Sequence, residues 1–283
     1  MSESPSTAPA LPTPSWATVT LDGHVAEVVL RATGKASRMG LAFWQEMPAL
    51  FAALDAAADV RAIVLRGEGE GFSYGLDLGG MGADLAQLMA PGGGAAERTR
   101  LHEMITRLQR AITCVASCTK PVIAAIHGWC IGGGVDLATA CDVRVCSADA
   151  KFSVREVRLA MVADVGTLAR LPLIIGEGAT RELALTGDDI DAVRALRLGL
   201  VNDVLETHDA LLAHARAMAA RIAANPPLVV RGVKQVLNAR SERIAEESLR
   251  TVALWNSAFL PSQDLGEAMA AFVQRRPPAF KGR

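Results

Sequence analysis

Residues 120–171 read KPVIAAIHGWCIGGGVDLATACDVRVCSADAKFSVREVRLAMVADVGTLARL. Val122 to Ile126 is an unbroken apolar run of the kind found in strands covered on both faces. Gly128 and then Gly132, Gly133 and Gly134 interrupt it and mark turns. Helical spacing follows from Val135 to Cys141, a strand pattern returns from Val143 to Cys146, and Val165 to Leu171 reads as the start of another helix. Strand, loop and helix recur, which predicts an α/β fold.

The pattern continues upstream. Ala17 to Leu21 and His24 to Leu30 are short β-prone runs around Asp22-Gly23, a dipeptide that suits a type I′ hairpin turn. Leu41 to Ala58 carries Phe43, Trp44, Met47, Leu50, Phe51 and Leu54 at helical spacing, which places Trp44 in the core. Ala62 to Leu65 is a buried strand leading into the glycine-punctuated loop from Gly67 to Gly80. After Met81 the chain has the character of a mobile lid, Pro91-Gly-Gly-Gly-Ala is a spacer, and helical periodicity resumes from Glu97 to about Cys118. Downstream, helices are expected at 179–185, 192–198, 210–223, 228–237, 241–258 and 263–273, with a strand at 201–204. The composition turns from mixed to nearly all helical near residue 205. The expected organisation is a disordered tail at 1–15, an α/β core at 16–204 and a helical region at 205–283.

Bulk properties bound the function. A chain of 283 residues with 51% apolar and only 4% aromatic content builds its core from Ala, Val, Leu and Ile. A net charge of −1 with interspersed signs offers no field for a polyanion, which argues against nucleic acid as a partner. Cys114, Cys118, Cys130, Cys141 and Cys146 are odd in number and sit among apolar residues, so they read as reduced, buried thiols; none falls at metal-ligand spacing, and no metal is expected. The first fifteen residues lack the basic start and apolar core of a secretory signal. No apolar run approaches the roughly 20 residues of a membrane helix, and the terminal Lys281-Gly282-Arg283 is not the Ser-Lys-Leu address. A soluble, cytoplasmic protein with no membrane partner is the expectation.

Candidate chemistry gathers in the quoted stretch. Glycines followed by a helix leave backbone N–H groups free at Gly132 to Gly134, and Gly75-Leu76-Asp77 could supply another donor from a second loop. Two donors on one oxygen make an oxyanion hole; each cluster taken alone reads as a plain turn. Asp136, Glu156 and Asp164 add three carboxylates in largely apolar surroundings, where lost hydration raises the pKa toward values useful for proton transfer. Each also has a structural explanation: Asp136 as a helix cap, Glu156 as a partner of Arg155 or Arg158, Asp164 as the N-cap of the next helix.

FSYGLDL at 72–78, KPVIAAIHGWCIGGGVDLATACDVRVCSADAKF at 120–152 and the following REV and ADVGTLARLP together resemble the enoyl-CoA hydratase/isomerase (crotonase) superfamily, from about Thr18 to the C-terminus. The resemblance implies a spiral of ββα turns with a helical C-terminal region used in trimer contacts. It also implies a CoA thioester whose carbonyl sits between two backbone N–H groups, which match Leu76 and Gly133. Asp136 in GGGVDL, Glu156 in REV and Asp164 in ADVGTL resemble the Δ3,5-Δ2,4-dienoyl-CoA isomerases within it. That branch implies proton removal at C2 by Glu156, return at C6 from Asp164, and support from Asp136. It implies no cofactor beyond the coenzyme A carried by the acyl-CoA substrate, and a homotrimer or a hexamer built as a dimer of trimers.

Two features depart from the resemblance: Ala160 stands where Gly is usual with bulky Met161 and Val162 after it, and KASRMGLAFW lacks an early Asn. Lys35 and Arg38 read as solvated charge. His127 reads as structural because the carboxylates suffice, and Trp129 and Trp255 read as core or subunit contacts. The alternatives are hydration of a 2-enoyl-CoA by Asp136 and Glu156, and an idle acyl-CoA binder.

Overall fold

A computed structural model describes residues 11–77, 79–80 and 93–283 of the chain. The expected lid between Met81 and the Pro91 spacer, and residues 1–10 of the expected tail, lie outside the described residues. Within the rest of that tail, Leu11 packs against the main core.

The chain begins with Ala17–Asp22 (β1), Val25–Leu30 (β2), Leu41–Ala56 (α1), Ala62–Gly67 (β3) and Ala95–Ser117 (α2). The quoted stretch folds as Val122–Ile126 (β4), Trp129–Ile131 (β5), Gly133–Ala140 (α3), Val143–Ser147 (β6), Lys151–Ser153 (β7), a 3₁₀ turn at Glu156–Leu159 and Thr167–Ile175 (α4). There follow Glu177–Thr186 (α5), Asp189–Asp191 (β8), Ala192–Leu198 (α6), Asp203–Leu205 (β9), His208–Ala223 (α7), Pro227–Phe259 (α8) and Gln263–Gln274 (α9).

Among the described residues the strands form a six-stranded sheet in the order β1-β2-β3-β4-β6-β9 and a three-stranded sheet in the order β5-β7-β8. β1 and β2 pair antiparallel with Asp22 opposite Val25, so the tight turn falls on Gly23-His24. Positive φ occurs there only at Gly23, whereas a type I′ turn needs it at both central residues. The remaining pairs of the large sheet are parallel, with Ile63 opposite Val122 and Ile123 opposite Val143.

Burial on both faces explains the unbroken apolar run in β4. Val122, Ala124 and Ile126 face the main core with α1 and α2, while Ile123 and Ala125 face the opposite layer with Ala62, Val64 and Val145. That second layer is closed by α7, whose Leu211, Ala215, Ala219 and Ala223 recur every four residues and present one narrow stripe to the sheet. Alanine at three of these positions lets the helix approach closely. The change of composition at 205 therefore precedes the point where the chain leaves the sheet, because α7 still belongs to the core.

Past Ala223 the chain is α8 and α9. α8 runs unbroken for 33 residues where two helices were expected, because Asn238-Ala-Arg240 contains neither Gly nor Pro. Polar side chains fix it to the core: buried Lys234 Nζ meets Asp142 Oδ2 at 2.6 Å, and Asn238 Nδ2 donates to Ala116 O at 2.9 Å. Its other face leaves Leu228, Val229, Val233, Val236 and Leu237 exposed.

Candidate active site

Two loops meet at the head of α3. Gly132 holds φ 53° and ψ −118°, and Gly75 holds φ 74°, both in the region that L side chains rarely adopt. These turns bring Leu76 and Gly133 together: a Cβ on Gly133 would lie 3.5 Å from Leu76 N, and one on Gly75 would lie 2.8 Å from Gly133 N. The approach is locked by Ile131 N donating to Ser73 O at 3.0 Å and Met39 N donating to Gly75 O at 2.8 Å. Neither the Leu76 nor the Gly133 N–H has a hydrogen-bond acceptor among the described residues, so both remain open to an oxygen of a ligand. Backbone donors cannot be deleted by substitution, but Gly75→Ala would wedge a methyl group against Gly133 N. For an acyl-CoA substrate this is expected to lower kcat about 10²- to 10³-fold; a variant with folded-state circular dichroism and undiminished kcat would remove the pair of donors from the chemistry.

The structure gathers Asp136, Glu156 and Asp164 with Leu76 and Gly133 around one cavity of about 140 Å³, also lined by Trp44, Tyr74, Leu108, Met161 and Val162. Asp136 lies in the first turn of α3 and is buried; its Oδ1 accepts the N–H of Thr167 at the start of α4, so it does serve as a cap across two helices. Its Oδ2 has no partner among the described residues. Burial pushes its pKa up to about 6, held back by the Thr167 bonds and the nearby Arg170. Arg170 is itself buried, with Nη2 donating to Thr113 Oγ1 at 2.9 Å.

Glu156 opens the 3₁₀ turn, and its Oε1 lies over Gly132, where a Cβ would come within 3.3 Å. It does not pair with its neighbours, because Arg155 bonds Asp189 at 2.7 Å and Arg158 bonds Asp188 at 2.9 Å. Burial first, and then the charges of Asp136 and Asp164, push Glu156 up to about 8. Asp164 is not the cap of α4, which is Gly166. Its Oδ2 accepts from Asn256 Nδ2 at 2.7 Å, and its main-chain oxygen accepts from Gln109 Nε2 at 2.8 Å. Burial pushes Asp164 up to about 7, with the Asn256 bond acting in the opposite direction.

Sequence reasoning missed Asn256, Gln109 and Arg170. A signal was present: Gln109 and Asn256 are polar residues on otherwise buried helix faces, next to Leu108 and Ile112 in α2 and in register with Leu249 and Ala253 in α8. Ala160 ends the 3₁₀ turn with φ 54°. The usual glycine there has a backbone reason, because an L residue in this conformation costs about 1–2 kcal/mol.

A wider groove of about 810 Å³ opens beside the cavity, shares Tyr74, Leu76, Ile131, Arg155 and Leu159 with it, and is also lined by Arg38, Arg158 and Arg276. Trp129 is not core. It lines this groove, with Lys151 Nζ 5.1 Å and Arg155 Cζ 5.0 Å from its ring centre. Trp255 is 54% exposed and tilts against Phe259 on α8. His127 stays outside the cavity, with Nε2 2.9 Å from Gly69 O and its ring edge-on to His208. The five cysteines are free, and burial pushes Cys114, Cys118, Cys141 and Cys146 up to about 12, which makes them poor nucleophiles.

Residues 21–283 match the family model described as enoyl-CoA hydratase/isomerase, and the chain belongs to that family. A solved enoyl-CoA hydratase/isomerase from Mycobacterium paratuberculosis superposes with a TM-score of 0.80 at 29% identity, over 91% of this chain and 98% of the other. At 45% identity over 91% of the chain and 87% of the relative, the chain is similar to the Δ(3,5)-Δ(2,4)-dienoyl-CoA isomerase, mitochondrial, of Dictyostelium discoideum. At 42% identity over 92% and 93%, it is similar to the peroxisomal protein of the same name from Arabidopsis thaliana. These relatives correct the expected cytoplasmic location, since both are named for organelles. The cytosol and an aqueous organelle matrix make the same demands on a folded surface, so composition does not separate them. Among the described residues no helix is long and apolar enough to cross a membrane.

Proposed function

We propose that this protein isomerises a 3,5-dienoyl-CoA to the 2,4-dienoyl-CoA. The observation that carries this reading is the spread of carboxylates around the cavity. Glu156 lies over Gly132, beside the Gly133 donor, whereas Asp164 is tied to Val162's strand of loop and to α8 by Asn256. With the thioester oxygen on the Leu76 and Gly133 N–H groups, C2 adjoins the carbonyl and falls to Glu156, and C6, four carbons farther along the acyl chain, falls to Asp164.

The Glu156 carboxylate takes the C2 proton, and the C2–H electron pair delocalises through the diene onto the thioester oxygen, where the two N–H groups stabilise the charge. Asp164 then delivers its proton to C6 as the electrons return, leaving double bonds at C2 and C4. Atoms and electrons balance with proton transfers alone, so the step calls for no redox cofactor or metal. Asp136, ionising most readily of the three, holds the head of α4 and makes Glu156 more basic by its charge. Hydration would use only Asp136 and Glu156 and would leave the Asp164–Asn256 pair without a task. The arginines of the outer groove suit the phosphates of coenzyme A, and the exposed apolar face of α8 suits contacts between subunits in a trimer or a hexamer.

Conversion is read by the extended absorbance of a conjugated thioester, and no conversion above buffer would refute the reading. Turnover requires one carboxyl ionised and the other protonated. With the pair raised to about 8 and about 7, kcat/KM is expected to be bell-shaped with its maximum between those values. Activity falls at lower pH because both carboxyls are protonated and no base remains, and at higher pH because both are ionised and no acid remains. A profile flat from pH 6 to 9 would separate these groups from the rate.

A further inference from the structure

Asn256 stands 92 residues from Asp164 in sequence, on α8, and is 2% exposed. Its Nδ2 donates to Asp164 Oδ2 at 2.7 Å and to the main-chain oxygen of Val162 at 2.8 Å. A primary amide has two N–H donors, and both are committed. The flipped amide would set Asn256 Oδ1 against the Val162 carbonyl, which can only accept, so two buried acceptors would face each other without a proton. The Val162 carbonyl thereby fixes the amide, and the amide fixes the carboxyl. Asp164 Oδ2 always meets an N–H, and a protonated carboxyl oxygen is the poorer acceptor, so the acid proton is held on Oδ1. Oδ1 has no partner among the described residues, and Asp164 lines the cavity. Gln109 completes the clamp, with Nε2 donating to Asp164 O at 2.8 Å and to Leu249 O of α8 at 2.9 Å.

We propose that Asn256 is a positioning residue for proton delivery at C6: it keeps the transferable proton of Asp164 on Oδ1, turned to the substrate, and so makes the acid dependent on the C-terminal helix α8. This rests on the isomerase reading above. The titratable groups around Asp164 are Asp136 from α3 and Glu156 from the 3₁₀ turn, with Arg170 from α4 beside Asp136; the groups bonded to it from α2 and α8 are the neutral amides of Gln109 and Asn256.

The test uses the full chain with Asn256→Ala and the near-isosteric Asn256→Asp. It measures isomerisation, exchange of the C2 proton in D₂O and the pH profile, in the wild-type and Asp164→Asn backgrounds. Both variants are expected to lower kcat roughly 10- to 100-fold, with KM and C2 exchange within about threefold of wild type, because Glu156 and the oxyanion hole are untouched. Loss of a donor that favours the ionised acid raises the Asp164 pKa from about 7, so the acid limb of the profile, set by the lower of the pair, is expected to move up toward the Glu156 limb near 8. In the Asp164→Asn background, Asn256→Ala is expected to have no further effect. Unchanged kcat and pH profile in both variants would overturn the inference alone. So would a parallel fall in C2 exchange, or an equal loss in the Asp164→Asn background, either of which marks a merely structural residue. Full activity in Asp164→Asn itself would instead bring down the assignment of Asp164 and this inference with it.

Discussion

Glu156→Gln is expected to lower kcat/KM for diene isomerisation by about 10⁴-fold, the upper end of what a positioned acid or base contributes. C2 exchange in D₂O is expected to vanish with it, because among the described residues no other carboxylate lies over Gly132 beside the Gly133 donor. Acyl-CoA binding is expected to hold, since the cavity keeps its shape and the amide replaces a carboxylate of nearly equal size. Stability is expected to move the other way. Glu156 is pushed from an ordinary 4.5 to about 8 in the folded protein, so its ionised form is disfavoured there. The sign follows from proton linkage: the folded state binds this proton more tightly, so the group costs stability as pH rises from about 4.5 and the cost is complete above about 8. The Gln variant should match wild type near pH 4 and melt higher at pH 8.5, by roughly 2–4 °C for each kcal/mol relieved. A variant that keeps C2 exchange, or that melts lower at pH 8.5 than wild type, would show that Glu156 is not the buried base.

Asp164→Asn is expected to cut isomerisation by about 10³-fold while leaving C2 exchange within a few-fold of wild type. The replacement is close to ideal for the site. An asparagine at 164 retains an oxygen to accept from Asn256 Nδ2, so the link to α8 survives, but the group turned to the cavity can no longer release a proton at neutral pH. Enolate formation at C2 continues, the protonated Glu156 exchanges with solvent and returns a proton to C2 of the intermediate, and in D₂O recovered substrate carries deuterium at C2. Wild type, by contrast, should place solvent deuterium at C6 of the product. Mass spectrometry of substrate and product separates the two positions. If exchange and isomerisation fall together in Asp164→Asn, the two carboxyls do not divide the reaction between them.

These two variants also mark what was legible in the sequence. Glu156 and Asp164 were visible as carboxylates in an apolar stretch, and Leu76 and Gly133 as members of glycine-flanked turns followed by a helix. Such features are local, set by residue type and backbone freedom within a few positions. The run VIAAI gave β4 to within its observed ends, because burial on both faces leaves a mark on every residue of the strand. The three-residue strands β5, β7 and β8 left no such mark, being too short to show a period. The join of two expected helices into α8, and the place of α7 on the sheet, depended on which surfaces lay opposite them.

The sequence alone determined the α/β class, the glycine turns that free two N–H groups, and the three carboxylates at 136, 156 and 164. Only the tertiary structure decided that Arg155 and Arg158 turn away to Asp189 and Asp188, leaving Glu156 without an ion-pair partner among the described residues, and that Asn256 and Gln109 reach Asp164 across 92 and 55 residues. The physical reason is the range of the forces involved. Periodicity and propensity record which face of an element is buried, whereas the partner that a polar side chain finds there is set by packing between elements far apart in the chain. Burial raised the carboxyls toward neutrality, and the partners they found there separated the acid from the base.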